Sequence, residues 1–237
     1  MVSAVHHDGR VIVIMAKAPR AGQVKTRLTP PLTPEQACAL YRAMLADTVT
    51  LSRVSGADVA AMVPPADVGD VAVVVGAHVY VVEQIGRGLA AALAFVFETF
   101  AERGYGRIVA IDSDSPTLPP QHLHAAFALL DGHDVVLGPT PDGGYYLVGA
   151  RQPQPGLFAP SAIGTSSALS SVEQAAAARG LRCARIAEWY DVDTAADLPR
   201  LHRDLRDDHT TAPATAALVA AWCLDPRLDQ LLQGRAE

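Results

Sequence analysis

Lysine is nearly missing from this chain. Of its 19 basic residues only Lys17 and Lys25 are lysine, and both fall in one stretch near the N-terminus. Basic charge as a whole is in deficit, with 25 acidic residues and a net charge of −6, which excludes a general nucleic-acid surface. No apolar run approaches the roughly 20 residues of a membrane span, so no membrane partner is expected. Cysteine is sparse: Cys38, Cys183 and Cys223 are far apart and lack metal-ligand spacing. That excludes a disulfide scaffold and fits a reduced, cytoplasmic protein. Residues 1–10 carry His6 and His7 but no apolar segment ahead of a cleavage site, so a signal peptide is not expected. The eight histidines are scattered without a metal pattern, and His122 and His124 read as the exposed side of a helix.

What is present is an apolar half of the composition spread over 237 residues, enough for a substantial core and against general disorder. Short β-branched runs alternate with longer helical stretches. Strands are expected at 11–16, 58–63, 79–83, 107–112, 134–138, 145–150 and 182–186. Several are continuously apolar, as strands covered on both faces are. The first helix begins at Thr33-Pro34-Glu35-Gln36, where Thr33 caps, Pro34 suits the first turn and Gln36 completes a capping box. Further helices are expected at 88–103, 119–130 and 166–179. This alternation predicts an α/β layered sheet with ligand chemistry at the carboxyl ends of the strands. Residues 207–211 read as a hinge, dividing a main domain, 1–207, from a helical appendage, 208–237. The apolar helix at 213–224 either packs on the parent domain or makes a homodimer contact.

The first strand runs directly into Lys17-Ala18-Pro19-Arg20-Ala21-Gly22-Gln23-Val24-Lys25-Thr26-Arg27-Leu28. From Gly9 to Pro34 there are five basic residues and no acidic one. Gly22 allows backbone N–H groups to approach an anion, while lysine offers a point charge and arginine a planar fork for phosphate oxygens. The loop is neither a Walker A motif nor a G-x-G-x-x-G fingerprint, and an ordinary solvated loop is its alternative. The fourth strand ends in Asp112-Ser113-Asp114-Ser115-Pro116-Thr117-Leu118-Pro119, and Asp191-Val192-Asp193-Thr194 follows about 80 residues later. Each Asp-x-Asp pair could be a turn or a helix cap. Together, three or four carboxylates would repel one another without a cation. The inference is a Mg²⁺ or Mn²⁺ site with one or two ions. Asp142-Gly143-Gly144 before two tyrosines is a hairpin-turn signal that also suits close approach to a ligand. Gly164, Ser166 and Ser167 could bind an anion at a helix N-terminus or simply cap it.

These motifs carry a resemblance. K-x-P-x-x-G-x-x-K-T-R-L after the first strand resembles the signature loop of a bacterial branch of the GT-A-type nucleotidyltransferases, known as domain of unknown function 2064. This branch also carries the description arsenosugar-associated glycosyltransferase. It is similar to 2-phospho-L-lactate guanylyltransferase and to molybdenum-cofactor nucleotidyltransferases. The likeness runs from about Val11 to Leu198. It implies a Rossmann-like three-layer sandwich with a mostly parallel mixed sheet, and transfer of a nucleotide from an NTP to a small phosphorylated acceptor. A D-x-P-x-L-P pattern puts the metal-binding carboxylate on Asp114, with Asp112 as its extra partner and Asp191 and Asp193 contributing. Lys17, Ala18, Pro19, Gly22, Lys25, Thr26 and Arg27 would hold the triphosphate, with Lys25, Arg27 and Asp114 catalytic. Gln84 and Gly88 fall where relatives contact base and ribose; the Asn some relatives carry there is absent. Asp142, Gly143, Gly144, Gly164, Ser166 and Ser167 fall on the acceptor side. A glycosyltransferase using a nucleotide-diphosphate sugar is the first alternative, and a non-catalytic nucleotide-binding domain the second.

Overall fold

The computed structural model describes residues 9–234; the His6-His7 segment lies outside them. Seven strands form one sheet: β1 (Arg10–Met15), β2 (Asp58–Val63), β3 (Tyr80–Glu83), β4 (Arg107–Ile111), β5 (Val135–Pro139), β6 (Tyr145–Ala150) and β7 (Cys183–Arg185). Their order is β3-β2-β1-β4-β6-β5-β7, and β6 alone runs antiparallel to its neighbours. All seven expected strands are present, each within a residue or so of its expected ends. The strands of the central pair, β1 and β4, show why: Val11–Ile14 and Ile108–Val109 have no exposed surface, so both faces must be apolar.

The two faces of the sheet are packed separately. Ile12 and Ile14 point into one core with α1 (Pro34–Val54), α2 (Val68–Val75) and α4 (Pro120–Leu130). Val11 and Val13 point into the other with α3 (Leu89–Glu102) and α5 (Ala168–Ala177). The period of two along β1 is thus what divides the layers. Thr33 and Gln36 form the expected capping box at the start of α1. The helix at Val68–Val75 is not expected from the sequence. Its Val-rich run is a poor helix former, and α2 persists because Val71 and Val75 are buried against the sheet.

A third cluster joins α1 to α6 (Leu198–Asp207), α7 (Pro213–Trp222) and α8 (Pro226–Leu232). Asp47 of α1 is 1% exposed, and its carboxylate accepts from Ala214 N (2.9 Å) and Thr215 N (2.7 Å). An acid at the N-terminus of α7 satisfies two otherwise orphaned donors and complements the helix dipole. Between α6 and α7, Asp208 accepts from Thr210 N, Thr210 Oγ1 and Thr211 Oγ1, forming a hydrogen-bonded turn. Among the described residues no helix is long and apolar enough to cross a membrane, and Cys38, Cys183 and Cys223 are free.

Candidate active site

The chain turns from β1 to one side of the sheet, towards β2, and reaches β4 on the other side. A crevice opens at the carboxyl ends of strands where the order reverses in this way. The lysine-bearing loop leaves β1 here, and the first Asp-x-Asp pair leaves β4.

The loop is held from below. Asp67, following β2, accepts from Ala18 N (3.0 Å) and from Arg20 Nη1 (2.5 Å). Arg20 also donates to Asp70 (2.6 Å) and to the Ala66 carbonyl (3.0 Å). Its guanidinium is raised above its usual value by hydrogen bonds to Asp67 first and Asp70 second. Arg20 therefore fastens the loop to the start of α2. Lys17 N donates to the Tyr41 hydroxyl of α1 (2.9 Å), which Ser113 also contacts (3.2 Å). Gly22 has φ 75°, a left-handed conformation, with open space where a Cβ would stand.

Lys25 takes the same left-handed backbone, φ 49°, alone among the described non-glycine residues. An L residue is strained there by about 1–2 kcal/mol, and strain of this kind persists where surrounding contacts over-determine it. Those contacts are two carboxylates. Lys25 Nζ lies 2.8 Å from Asp114 Oδ1 and 2.7 Å from Asp193 Oδ1, with the lysine side chain only 5% exposed. Burial alone would lower this ammonium. The two aspartates outweigh burial and raise it above its usual value. Arg27, by contrast, is 72% exposed and reaches Asp193 only at 3.8 Å.

Backbone bonds bring the two distant acidic motifs together. Val192 N donates to the Asp114 carbonyl (2.9 Å), and Asp197 accepts from Asp193 N, Thr194 N and Thr194 Oγ1, fixing the second motif as a cap. Asp112 turns back to accept from Asp114 N (3.0 Å); burial first, then the charge of Asp114, pushes its carboxyl well above the usual range. Burial and the charge of Asp193 push Asp191 up to about 6.

Two adjoining cavities lie along this crevice. The first, about 270 Å³, is lined by Lys17, Gln23, Lys25, Arg27, Tyr41 and Asp114 among others. The second, about 450 Å³, is lined by Met15, Lys17, Gln84, Gly88, Leu89 and Asp112 among others. Lys17 and Asp114 belong to both.

The expected acceptor-side residues line neither cavity. Thr140–Gly144 is the hairpin turn between β5 and β6, and Asp142 Oδ1 accepts from Thr140 Oγ1 (2.6 Å) and Gly144 N (3.0 Å). Gly143 O accepts from Leu169 N (3.0 Å), so this turn packs on the start of α5. Gly164 lies in the loop before it, with Ser167 Oγ paired to Thr165 Oγ1 and no side-chain cap from Ser167. One histidine differs from expectation. His122 is partly buried, its Nδ1 bonded to Tyr146 OH (2.7 Å) and its ring edge-on to Trp189, because the start of α4 leans over β6; His124 is exposed.

The carboxylates of Asp114 and Asp193, expected to hold a divalent cation, converge on the Lys25 ammonium. Among the described residues no three carboxylate, imidazole or thiol groups converge as a ready-made metal cage. Two hard oxygens, of Asp114 and Asp193, do aim at one point. Mg²⁺ is commonly held by one or two carboxylates, with waters and substrate phosphates completing six ligands. The donor set therefore fits an ion that arrives with phosphates.

Residues 47–165 match the family described as "Uncharacterized protein conserved in bacteria (DUF2064)". A phosphoenolpyruvate guanylyltransferase of Nocardia farcinica is 33% identical over 195 residues, 76% of this chain and 80% of that protein. The chain belongs to the DUF2064 family. A second relative, a 3-phospho-D-glycerate guanylyltransferase of Phenylobacterium zucineum, is 34% identical over 168 residues, 68% of this chain and 75% of that one. The crystal structure of a candidate nucleotide-diphospho-sugar transferase from Desulfovibrio desulfuricans has a TM-score of 0.84 at 26% identity, covering 98% of this chain and 100% of that one. This DUF2064 protein is accordingly a transferase with the fold of nucleotidyltransferases and nucleotide-sugar transferases.

Some residues around the crevice of this DUF2064 chain escape sequence reasoning. Tyr41 belongs to the buried face of α1, with Met44 and Leu45, and reads as core. Ser113 hides inside the Asp-x-Asp motif. Asp67 and Asp70 carry no motif, and the one sequence signal for them is Arg20, a cation in a loop without an acidic residue.

Proposed function

We propose that this protein transfers a nucleoside monophosphate from an NTP to a small phosphorylated carboxylic acid. An oxygen of the acceptor phosphate forms a bond to the α-phosphorus, the bond from that phosphorus to the α,β-bridging oxygen breaks, and pyrophosphate leaves. The observation that carries this reading is the buried Lys25 between Asp114 and Asp193, at a cavity that the basic loop also lines. Lys17, Lys25 and Arg27 supply positive charge for the triphosphate and for the charge growing on the leaving pyrophosphate. Lys17 borders both cavities, which suits a nucleoside in the larger one, beside Gln84 and Gly88, with its phosphates in the smaller. Asp114 and Asp193 would hold Mg²⁺, with Asp112 and Asp191 close behind. When bound, that ion neutralises phosphate oxygens and polarises the α-phosphate. Positioning and electrostatics account for the catalysis without a covalent protein intermediate.

The guanylyltransferase relatives support GTP as donor and a three-carbon phospho-acid as acceptor. The Desulfovibrio structure favours one second reading, glycosyl transfer from a nucleotide-diphosphate sugar. The products separate the two. Purified protein with Mg²⁺, each NTP in turn, and phosphoenolpyruvate, 3-phosphoglycerate or sugar phosphates should release pyrophosphate with at least one pairing. Free nucleoside diphosphate from a sugar nucleotide, without pyrophosphate from any NTP, would establish the second reading instead.

A further inference from the structure

Lys25 occupies the point at which the carboxylates of Asp114 and Asp193 converge. Its ammonium is buried, and the left-handed backbone at residue 25 is maintained against its intrinsic strain. An ammonium and a divalent cation cannot share that point, since both need the same oxygens and repel each other. Nor do the described residues offer a separate cage of three acidic, imidazole or thiol groups. The cavity beside Nζ leaves the side chain somewhere to go, and there it meets Lys17, Gln23 and Arg27 but no further carboxylate. Leaving Asp114 and Asp193 would strand the ammonium unless an anion came in with the metal. A triphosphate is such an anion.

We propose that Lys25 is a resident counter-cation that trades places with the divalent metal, leaving Asp114 and Asp193 for the phosphates as the metal–nucleotide complex enters. This inference rests on the nucleotidyl-transfer reading and adds a binding order to it. Without nucleotide the lysine competes with the metal, so metal binds weakly. With nucleotide the lysine gains a new partner and the competition ends. By linkage, metal strengthens nucleotide binding by the same factor. The resident ammonium also keeps two carboxylates, which would otherwise repel, in place before substrate arrives.

The scarcity of lysine supplies the experiment. Selective ¹³Cε-lysine labelling of the full chain gives one NMR signal for Lys17 and one for Lys25, assigned with Lys17→Arg. The Lys25 signal should stay fixed on addition of Mg²⁺ alone and shift when α,β-methylene GTP is added with Mg²⁺. If the Lys17 signal shifts with the nucleotide while that of Lys25 does not, Lys25 stays bolted to its carboxylates and the exchange is wrong, though the loop still binds nucleotide. If neither signal moves with any of the four α,β-methylene nucleotides, the nucleotidyl-transfer reading fails with it. A second readout uses Mn²⁺ alone, followed by electron paramagnetic resonance. Lys25→Met should bind it about tenfold or more tightly than wild type, within the usual range of binding couplings, whereas Lys25→Arg should not. Equal or weaker Mn²⁺ binding by a folded Lys25→Met would overturn the exchange.

Discussion

Asp67 decides whether the basic loop is a built element or a mobile one. Its side chain is 11% exposed and accepts from Ala18 N, while Ala18 itself is 3% exposed. Asp67→Ala removes a charged acceptor and leaves that N–H buried without a partner. Hydrogen bonds to charged groups are worth about 1.5–3 kcal/mol, and an orphaned donor costs about as much. The expected loss is therefore about 2–3 kcal/mol in urea unfolding, seen as a lower midpoint with an unchanged slope. The bond from Asp67 to Arg20 adds little to this, because the guanidinium is at the surface. Asp70→Ala is the internal control. Its carboxylate is 56% exposed and meets only the outer face of Arg20, so its midpoint should stay close to wild type. Catalysis should separate the two further. A displacement of about 1 Å in a positioning element can cost roughly 100-fold in rate. Asp67→Ala should thus lose most of its transfer activity even at temperatures where it is fully folded, and Asp70→Ala should not. Equal effects from the two substitutions, or a folded Asp67→Ala with wild-type kinetics, would refute the claim that Asp67 sets the loop.

Other predictions follow from the same geometry. Asp47→Ala should cost about 2 kcal/mol, the upper range for a lost helix cap, and expose the segment after Asp208 to limited proteolysis. Gly143→Ala and Gly22→Ala should differ sharply in thermal melts although both have positive φ. A Cβ at 143 would stand 2.1 Å from the Ser166 carbonyl oxygen, adding about 1–3 kcal/mol of overpacking to the strain, whereas at 22 it meets nothing. Asp114→Asn and Asp193→Asn should each lower pyrophosphate release by about 100-fold or more while leaving the fold intact, because Lys25 keeps one carboxylate partner in either variant. Arg27→Ala, at an exposed position, should leave the melt within about 0.5 kcal/mol of wild type but weaken substrate binding, read as a rise in KM.

The sheet was legible from the amino acids because each buried strand had to be apolar on both faces, and Thr33-Pro34-Glu35-Gln36 announced α1 through local capping chemistry alone. Short-range rules of this kind work wherever the deciding interaction is a few residues away. They failed at α2, whose valines argue against a helix until the core that buries Val71 and Val75 is known. They failed again at His122, which gains its partners from β6 and from the segment after β7.

The sequence by itself singled out two lone lysines in a basic loop and two Asp-x-Asp pairs expected to need a cation. It also led to the family through those motifs. It did not reveal that Lys25 sits between two of those carboxylates, because Lys25 and Asp193 are 168 positions apart. Nor did it separate the arginines by task, since Arg20 and Arg27 differ only in what the folded chain sets opposite them. Charge is a property of residues, but the pairing of charges depends on distance through space. The strand order β2-β1-β4 sets the β1 loop beside Asp67, Asp70 and the first Asp-x-Asp motif, and the bond from Val192 N to the Asp114 carbonyl brings in the second, so only the folded chain gave each charge its partner.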